Sequence, residues 1–238
     1  MDRAVSDVLG YILIFALITS SVGVVTVAGF GTLEDTRDAE RFENAGRVFD
    51  ILGANVADHL DDRVRTRSTE IRLADSSLQF GDPVGINVTV GGVGSNSTTV
   101  EPLLYTQGET ARIAYTGGAV VRSKGGSAVM TAGPPFRFGN RTVITMVNTR
   151  GRNTGVAGSA RVLVRTKLVS QSVYEYTSGP YTVTLNVTPP APRSAAWSQW
   201  LESETGTDCD AVEDTVSCTF EADEVYVRTV TIDVFLVD

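Results

Sequence analysis

The residues most able to do chemistry are a histidine and its acidic neighbours. His59 is the only histidine of the chain and lies in the segment DHLDD, with Asp58, Asp61 and Asp62. A serine hydrolase would need a nucleophile beside such a base, and the sequence contains no G-x-S-x-G turn. The acids could bind a divalent cation weakly, or they could be solvated on an exposed, polar helix face. We predict no catalytic residue, no metal site and no cofactor, hence no enzyme, although the paired acids of an anchored glycoside hydrolase need no motif.

The two cysteines, Cys209 and Cys218, are the other reactive pair. Two thiolates are too few for a structural zinc site, which takes four ligands. Because both lie in short, strand-like sequence, we expect a disulfide across a hairpin, with two unpaired buried thiols as the alternative.

The amino-acid composition limits the kinds of partner that the chain can bind. A net charge of −8 argues against nucleic acid, because phosphate binding needs clustered cations. Lys124 and Lys167 are the only lysines among 20 basic residues. Scarce lysine with abundant acids is typical of halophilic proteins, and GC-rich coding also favours arginine.

The N-terminal segment is apolar and carries no charge from Val8 to Leu33. A helix of 26 residues would rise about 39 Å, more than the hydrocarbon core of about 30 Å. We therefore predict a single-pass membrane helix. Arg3 before the span puts the N-terminus in the cytoplasm and residues 34–238 outside the cell. The alternatives are a secretory signal peptide cut after Ala28 and a permanent, uncut anchor.

The residues around the start of this segment carry a family resemblance. The sequence DRA followed by VSDVLGYILIFALI resembles the class III signal peptide of archaeal type IV pilins, over residues 2–33. The resemblance implies that a prepilin peptidase recognises Arg3 and Ala4 and cuts the chain between Ala4 and Val5. The mature chain would then begin at Val5. It also implies filament assembly through the N-terminal helix, in which Gly10 matches the pilin pattern. Leu9 stands where bacterial pilins place Glu, and a carboxylate at Asp7 would instead pair with the new amine of a neighbouring copy.

The remaining sequence changes from helical to strand periodicity. Residues 34–62 repeat apolar side chains at helical spacing and predict an amphipathic continuation of the helix. From Thr69 onward the period is two, which predicts strands at 69–73, 84–90, 110–116, 141–147, 160–169, 181–188 and 224–237. The segment RSAAWSQWLES predicts one short helix with Ser194 as its N-cap. We expect Trp197 and Trp200 in the core, with a ligand platform as the alternative.

The expected fold is α+β and mainly β: a long transmembrane and amphipathic helix followed by an antiparallel β-sandwich with one short helix. The expected domains are a leader at 1–4, a membrane helix at 5–33, the amphipathic helix at 34–62 and an extracellular β domain at 69–238. Four sequons are candidate N-glycosylation sites, at Asn87, Asn96, Asn140 and Asn186.

These features favour a minor pilin or pseudopilin, held in the cell membrane and, after processing, part of a surface filament. The alternative is a membrane-anchored cell-surface binding protein that does not assemble.

Overall fold

The computed structural model describes the backbone of residues 2–61 and 64–237, and the side chains of residues 10–26, 33–61 and 64–237. It consists of two compact units, Met1–Glu43 and Asn44–Asp238. The helices are α1 (Asp2–Leu60) and α2 (Arg193–Thr205). The strands in chain order are β1 (Thr66–Arg72), β2 (Ser76–Phe80), β3 (Val84–Val90), β4 (Gly94–Val100), β5 (Leu103–Gln107), β6 (Ala111–Thr116), β7 (Ala119–Lys124), β8 (Ser127–Ala132), β9 (Phe136–Arg137), β10 (Arg141–Gly151), β11 (Val156–Gly158), β12 (Arg161–Tyr176), β13 (Tyr181–Val187), β14 (Cys209–Val212), β15 (Thr215–Ala222) and β16 (Glu224–Val237).

The described strands form three sheets. The first has the order β1-β12-β16-β10-β9, the second β11-β2-β5-β6-β7-β8, and the third β14-β15-β13-β3-β4. The fold is therefore not the simple antiparallel sandwich expected from the sequence. The difference includes β10 and β16, which run parallel over eleven residue pairs from Arg141↔Glu224 to Gly151↔Val234. A parallel pair needs a long crossover, and the strands and α2 between β10 and β16 supply it.

The third sheet shows how strand periodicity builds a core. In β3 and β13 the apolar residues alternate with polar ones, and every second side chain is buried. These buried side chains pack with α2 and with one face of β10 and β16, where Val225 and Val227 are fully buried. Trp197 of α2 is also fully buried and Trp200 packs beside it, as the sequence predicts.

Helix α2 begins two residues earlier than predicted. Its N-cap is Pro192, and the cap makes no side-chain hydrogen bond. The predicted cap at Ser194 is therefore wrong. At the other end Gly206 adopts a left-handed conformation, with φ of 69°, and its N–H donates to the carbonyl of Glu202. A glycine closes this helix because other residues are strained in that conformation.

A second core lies under the C-terminal part of α1. Phe49, Leu52 and Val56 are each at most 2% exposed, which matches the helical spacing of the apolar residues in 34–62. The ring of Phe49 meets that of Tyr105 edge-on at 6.4 Å. Burial of this stripe fixes α1 from Asn44 onward against the strands of the larger unit.

The predicted membrane anchor is contradicted. In the part of the chain that the structure describes, no helix combines the length and the apolar character needed to cross a bilayer. The transmembrane element of the predicted fold, and the single-pass location with cytoplasmic N-terminus and extracellular C-terminal domain, are therefore corrected.

Candidate assembly surface

The smaller unit exposes a continuous apolar surface on α1. Ten large apolar side chains within residues 10–26 are each 54–72% exposed: Tyr11, Ile12, Leu13, Ile14, Phe15, Leu17, Ile18, Val22, Val24 and Val25. Contiguous positions point in all directions around a helix, so this surface is apolar on every side. Helices of that kind are normally buried, and exposed apolar patches of such extent mark interaction sites. We call residues 10–26 the apolar segment.

The local sequence explains why the apolar segment is helical and why it needs partners. No proline occurs before Pro83, so nothing interrupts the hydrogen-bond ladder of α1. The hydroxyl of Ser21 donates to the carbonyl of Ile18 at 2.9 Å, inside the helix. However, the β-branched residues and two glycines of the segment are modest helix formers. Helices in proteins gain most of their stability from packing, which this segment does not obtain from the side chains described around it.

One side of the apolar segment is concave. Small residues at Ala16 and Ser20 form a shallow groove, bordered by the larger Leu13, Leu17 and Val24. A Cβ atom added at Gly23 would have nothing within 4 Å. Small residues let two helices approach closely, while larger neighbours fill the grooves of the partner. The segment thus carries both the knobs and the holes of a helix–helix contact.

The predicted processing and assembly residues fall mostly outside the described side chains. Arg3, Ala4, Val5 and Asp7 lie in the described backbone of α1, but their side chains are not among those that the structure describes. Gly10 lies in the helix and has open space where a Cβ would be. Cleavage after Ala4 and pairing through Asp7 stay predictions.

His59 is placed differently from the prediction of a polar helix face. It is fully buried: its Nδ1 lies 2.7 Å from the carbonyl oxygen of Val64, and its Nε2 lies 2.9 Å from the hydroxyl of Thr166. A carbonyl oxygen only accepts, so Nδ1 carries a proton and donates it. The prediction of an exposed position was wrong because Thr166, which contacts His59, belongs to β12 and lies far along the chain. Both ring nitrogens of His59 therefore have hydrogen-bond partners within the fold, and the ring is closed off from solvent.

Of the acids beside His59, Asp58 has a structural partner. Asp58 forms an ion pair with Arg67 of β1 at 2.6 Å, Asp61 is exposed, and Asp62 lies outside the described residues. Among the described residues no group of three or more histidine, cysteine, aspartate or glutamate side chains is placed to hold a metal ion.

The predicted disulfide between Cys209 and Cys218 is present. The two residues are direct partners in the ladder that joins β14 to β15, at the end of a short hairpin. Cys218 is fully buried in the core of the third sheet. The bond therefore attaches the edge strand β14 to that core.

The four sequon asparagines occupy different surroundings. Asn87 of β3 and Asn186 of β13 are direct partners across two neighbouring strands and are half-buried. The side chain of Asn96 donates to the hydroxyl of Tyr176 at 2.8 Å. Asn140 is exposed in the turn before β10.

Comparison with known proteins gives a family whose function is unknown. A family model described as "Family of unknown function (DUF7289)" matches residues 3–235. No curated protein and no solved structure matches the chain.

Proposed function

Since the chain belongs to DUF7289, a family of unknown function, its role has to be argued from its own residues, and we propose that it is a non-enzymatic, type IV pilin-like filament subunit. The observation that carries the proposal is the apolar segment, which is apolar on every side and exposed. In the proposed filament, the apolar segments of many copies pack together in the centre and the larger units lie outside.

The energy available from this packing is large. Burying an apolar side chain of this size contributes roughly 1.5–3 kcal/mol, so ten of them contribute on the order of 15–30 kcal/mol before the entropy lost on association. Even a fraction of that amount would hold a subunit firmly in a helical bundle.

Other copies of the same chain are the favoured occupants of this surface. The groove at Ala16 and Ser20 is matched by Leu13 and Leu17 of the same helix. Each copy therefore brings both halves of the contact, as a repeating assembly requires.

The sequence around the start of α1 supports the same proposal. The resemblance of Arg3, Ala4 and Val5 to a prepilin cleavage site supports a prepilin peptidase as the proposed processing partner. Removal of the leader would create an amine at Val5. A carboxylate at Asp7 could pair with that amine in a neighbouring copy, where the low dielectric of a helical bundle strengthens the attraction.

Glycosylation of the larger unit belongs to the proposal too. Asn140 is the most accessible sequon asparagine, since it is exposed in a turn. Asn87 and Asn186 are cross-strand partners, whose Cβ atoms lie about 5 Å apart in such pairs. Two glycans would crowd each other there, so we assign one glycan to this pair and one to Asn140. Glycopeptide mass spectrometry that finds Asn87 and Asn186 occupied on the same molecule would contradict the assignment.

The processing step is tested by the intact mass and the N-terminal residue of the protein isolated from its native cells. A chain that begins at Val5 supports the pilin-like role. A chain that begins at Met1 contradicts processing, and a chain that begins near Gly29 shows that the apolar segment is a discarded signal.

Assembly is tested by filling the groove. The double variant Ala16→Leu/Ser20→Leu keeps the helix apolar but removes the space for a neighbouring helix. Val22→Leu, on the opposite side of the segment, is the matched control. We expect electron microscopy of purified material to show filaments for the native chain and the control, and few or none for the double variant. Unchanged filaments in the double variant, or a native chain that does not associate, would contradict the proposed packing and favour a non-assembling binding protein.

A further inference from the structure

The second sheet carries a cleft lined by polar and charged side chains. Ser77 of β2, Thr106 of β5, Arg112 of β6 and Ser123 of β7 are register partners in one row across four neighbouring strands. All four line a cleft of about 410 Å³, which the segment 190–193 borders. The volume lies within the range of about 300–1,000 Å³ that is usual for small-ligand sites.

Two arginines face this cleft without a partner of opposite charge. Neither the guanidinium of Arg112 nor that of Arg193 forms an ion pair or a hydrogen bond with another residue in the described part of the chain. The Nη1 atom of Arg193 is buried as well. A buried donor that finds no acceptor costs roughly 1–3 kcal/mol, and more if it is charged. A ligand that brings a hydrogen-bond acceptor to Arg193 would therefore gain from this donor.

The electrostatics of the cleft point to one negative charge. Burial, and then the positive charge of Arg112, lower the pKa of Arg193, while Asp82 opposes this effect. Asp82 also lines the cleft, but it forms no ion pair with either arginine among the described residues. Two guanidinium groups and one carboxylate leave a net charge of +1, which a monoanion would neutralise. Arginine binds carboxylates through two parallel hydrogen bonds, so the planar guanidinium groups of Arg112 and Arg193 suit a carboxylate.

The rest of the lining suits a ligand that carries hydroxyl groups. Ser77, Thr106 and Ser123 offer hydroxyls that can both donate and accept, and Gln79 adds an amide. Phe80 and the prolines at 190 and 192 form an apolar wall. A sugar ring presents hydroxyls at its edge and C–H groups on its face, and both kinds of surface are matched here.

We propose that this cleft binds an acidic sugar, with the sugar carboxylate held by Arg112 and Arg193 and its hydroxyls held by the polar row of the second sheet. The site is independent of the apolar segment and goes beyond filament assembly. It would let the larger unit of each subunit recognise an acidic polysaccharide, or the acidic residue of a glycan.

The test is isothermal titration of the full-length protein with glucuronate, with glucose as the neutral analogue. We expect glucuronate to bind with a Kd of about 1 mM or tighter, and glucose to bind at least tenfold more weakly, because only glucuronate supplies the charge-assisted hydrogen bonds. Raising the salt concentration should weaken glucuronate binding.

Matched variants locate the site. Arg112→Gln and Arg193→Gln should each weaken glucuronate binding by at least tenfold. Arg137→Gln removes the same charge from an exposed position of β9 outside the cleft and should leave the affinity unchanged. Circular dichroism melting of each variant shows that it is folded, and glucuronate should raise the melting temperature of the native chain but not that of the cleft variants. No binding of glucuronate, equal binding of glucose, or an equal loss in Arg137→Gln would overturn the proposal.

Discussion

Reduction of the disulfide between Cys209 and Cys218 should weaken the fold by a predictable amount. The bond closes a loop with a sequence separation of 9. The loop-entropy relation then gives an entropy difference of about 8.6 cal/mol/K, which is about 2.6 kcal/mol at 25 °C. In a unit of this size, that loss should lower the melting temperature by roughly 5–10 °C.

The structure also predicts where the loss appears first. β14 is an edge strand that pairs only with β15 in the described sheet, and most of it is exposed. In contrast, Cys218 of β15 is fully buried in the core. After reduction, the amide protons of Cys209–Val212 should exchange faster than those of β15, because the hairpin is no longer closed at its end.

The assay is thermal and urea unfolding with and without reductant, together with hydrogen exchange. The double variant Cys209→Ala/Cys218→Ala is the control and should not respond to reductant. If reduction accelerates exchange in β14 but leaves the melting temperature within about 1 °C of its native value, the reasoning is refuted. That result would mean that the hairpin opens separately from the rest of the unit.

Three further predictions concern the larger unit. Gly53→Ala should raise the free energy of unfolding by about 0.8–1 kcal/mol in urea titrations, since it improves helix propensity and the added Cβ meets its nearest atoms at 3.8 Å. Gly133→Ala should instead destabilise by about 1–3 kcal/mol in the same assay, because the added Cβ would lie 2.6 Å from the ring of Trp200; an unchanged midpoint would show that the ring moves freely. The hydrogen bond from Arg141 holds the pKa of Glu224 below its usual value, so the pair stabilises the fold above the unfolded-state pKa and loses this effect as the pH falls through the folded-state pKa. Arg141→Gln should therefore lower the melting temperature slightly at neutral pH and not in strong acid, and an equal difference at both pH values would contradict this account.

The features that could be read from the sequence are those fixed by neighbouring residues. The predicted strand 84–90 coincides with β3, and 224–237 coincides with β16, because alternation of apolar and polar residues is a local pattern. The disulfide could also be predicted from the sequence, since a short loop between two strand-like segments favours a hairpin. In each case the interacting residues are close in the chain or repeat at a fixed period.

The features that were missed or wrongly placed depend on residues distant in the chain. β4, with the sequence GSNSTTV, has little strand character of its own and is absent from the predicted strands; its pairing with β3 makes it a strand. The strand β12 continues to Tyr176, beyond the predicted end at 169, because it pairs with β16 there. Pairing partners therefore overrode local propensity in both strands.

The sequence by itself determined that this protein has a long N-terminal helix, a β-rich remainder and a local disulfide, because periodicity and short loops are encoded by neighbouring residues. Only the tertiary structure decided that His59 is buried against Thr166 and that β10 lies parallel to β16. It alone brought Arg112 and Arg193 into one cleft. Each arginine is an ordinary charged residue in its own segment. The proposed capacity to bind an anion arises only when the packing of α2 against the sheets places the two charges together and partly buries that of Arg193.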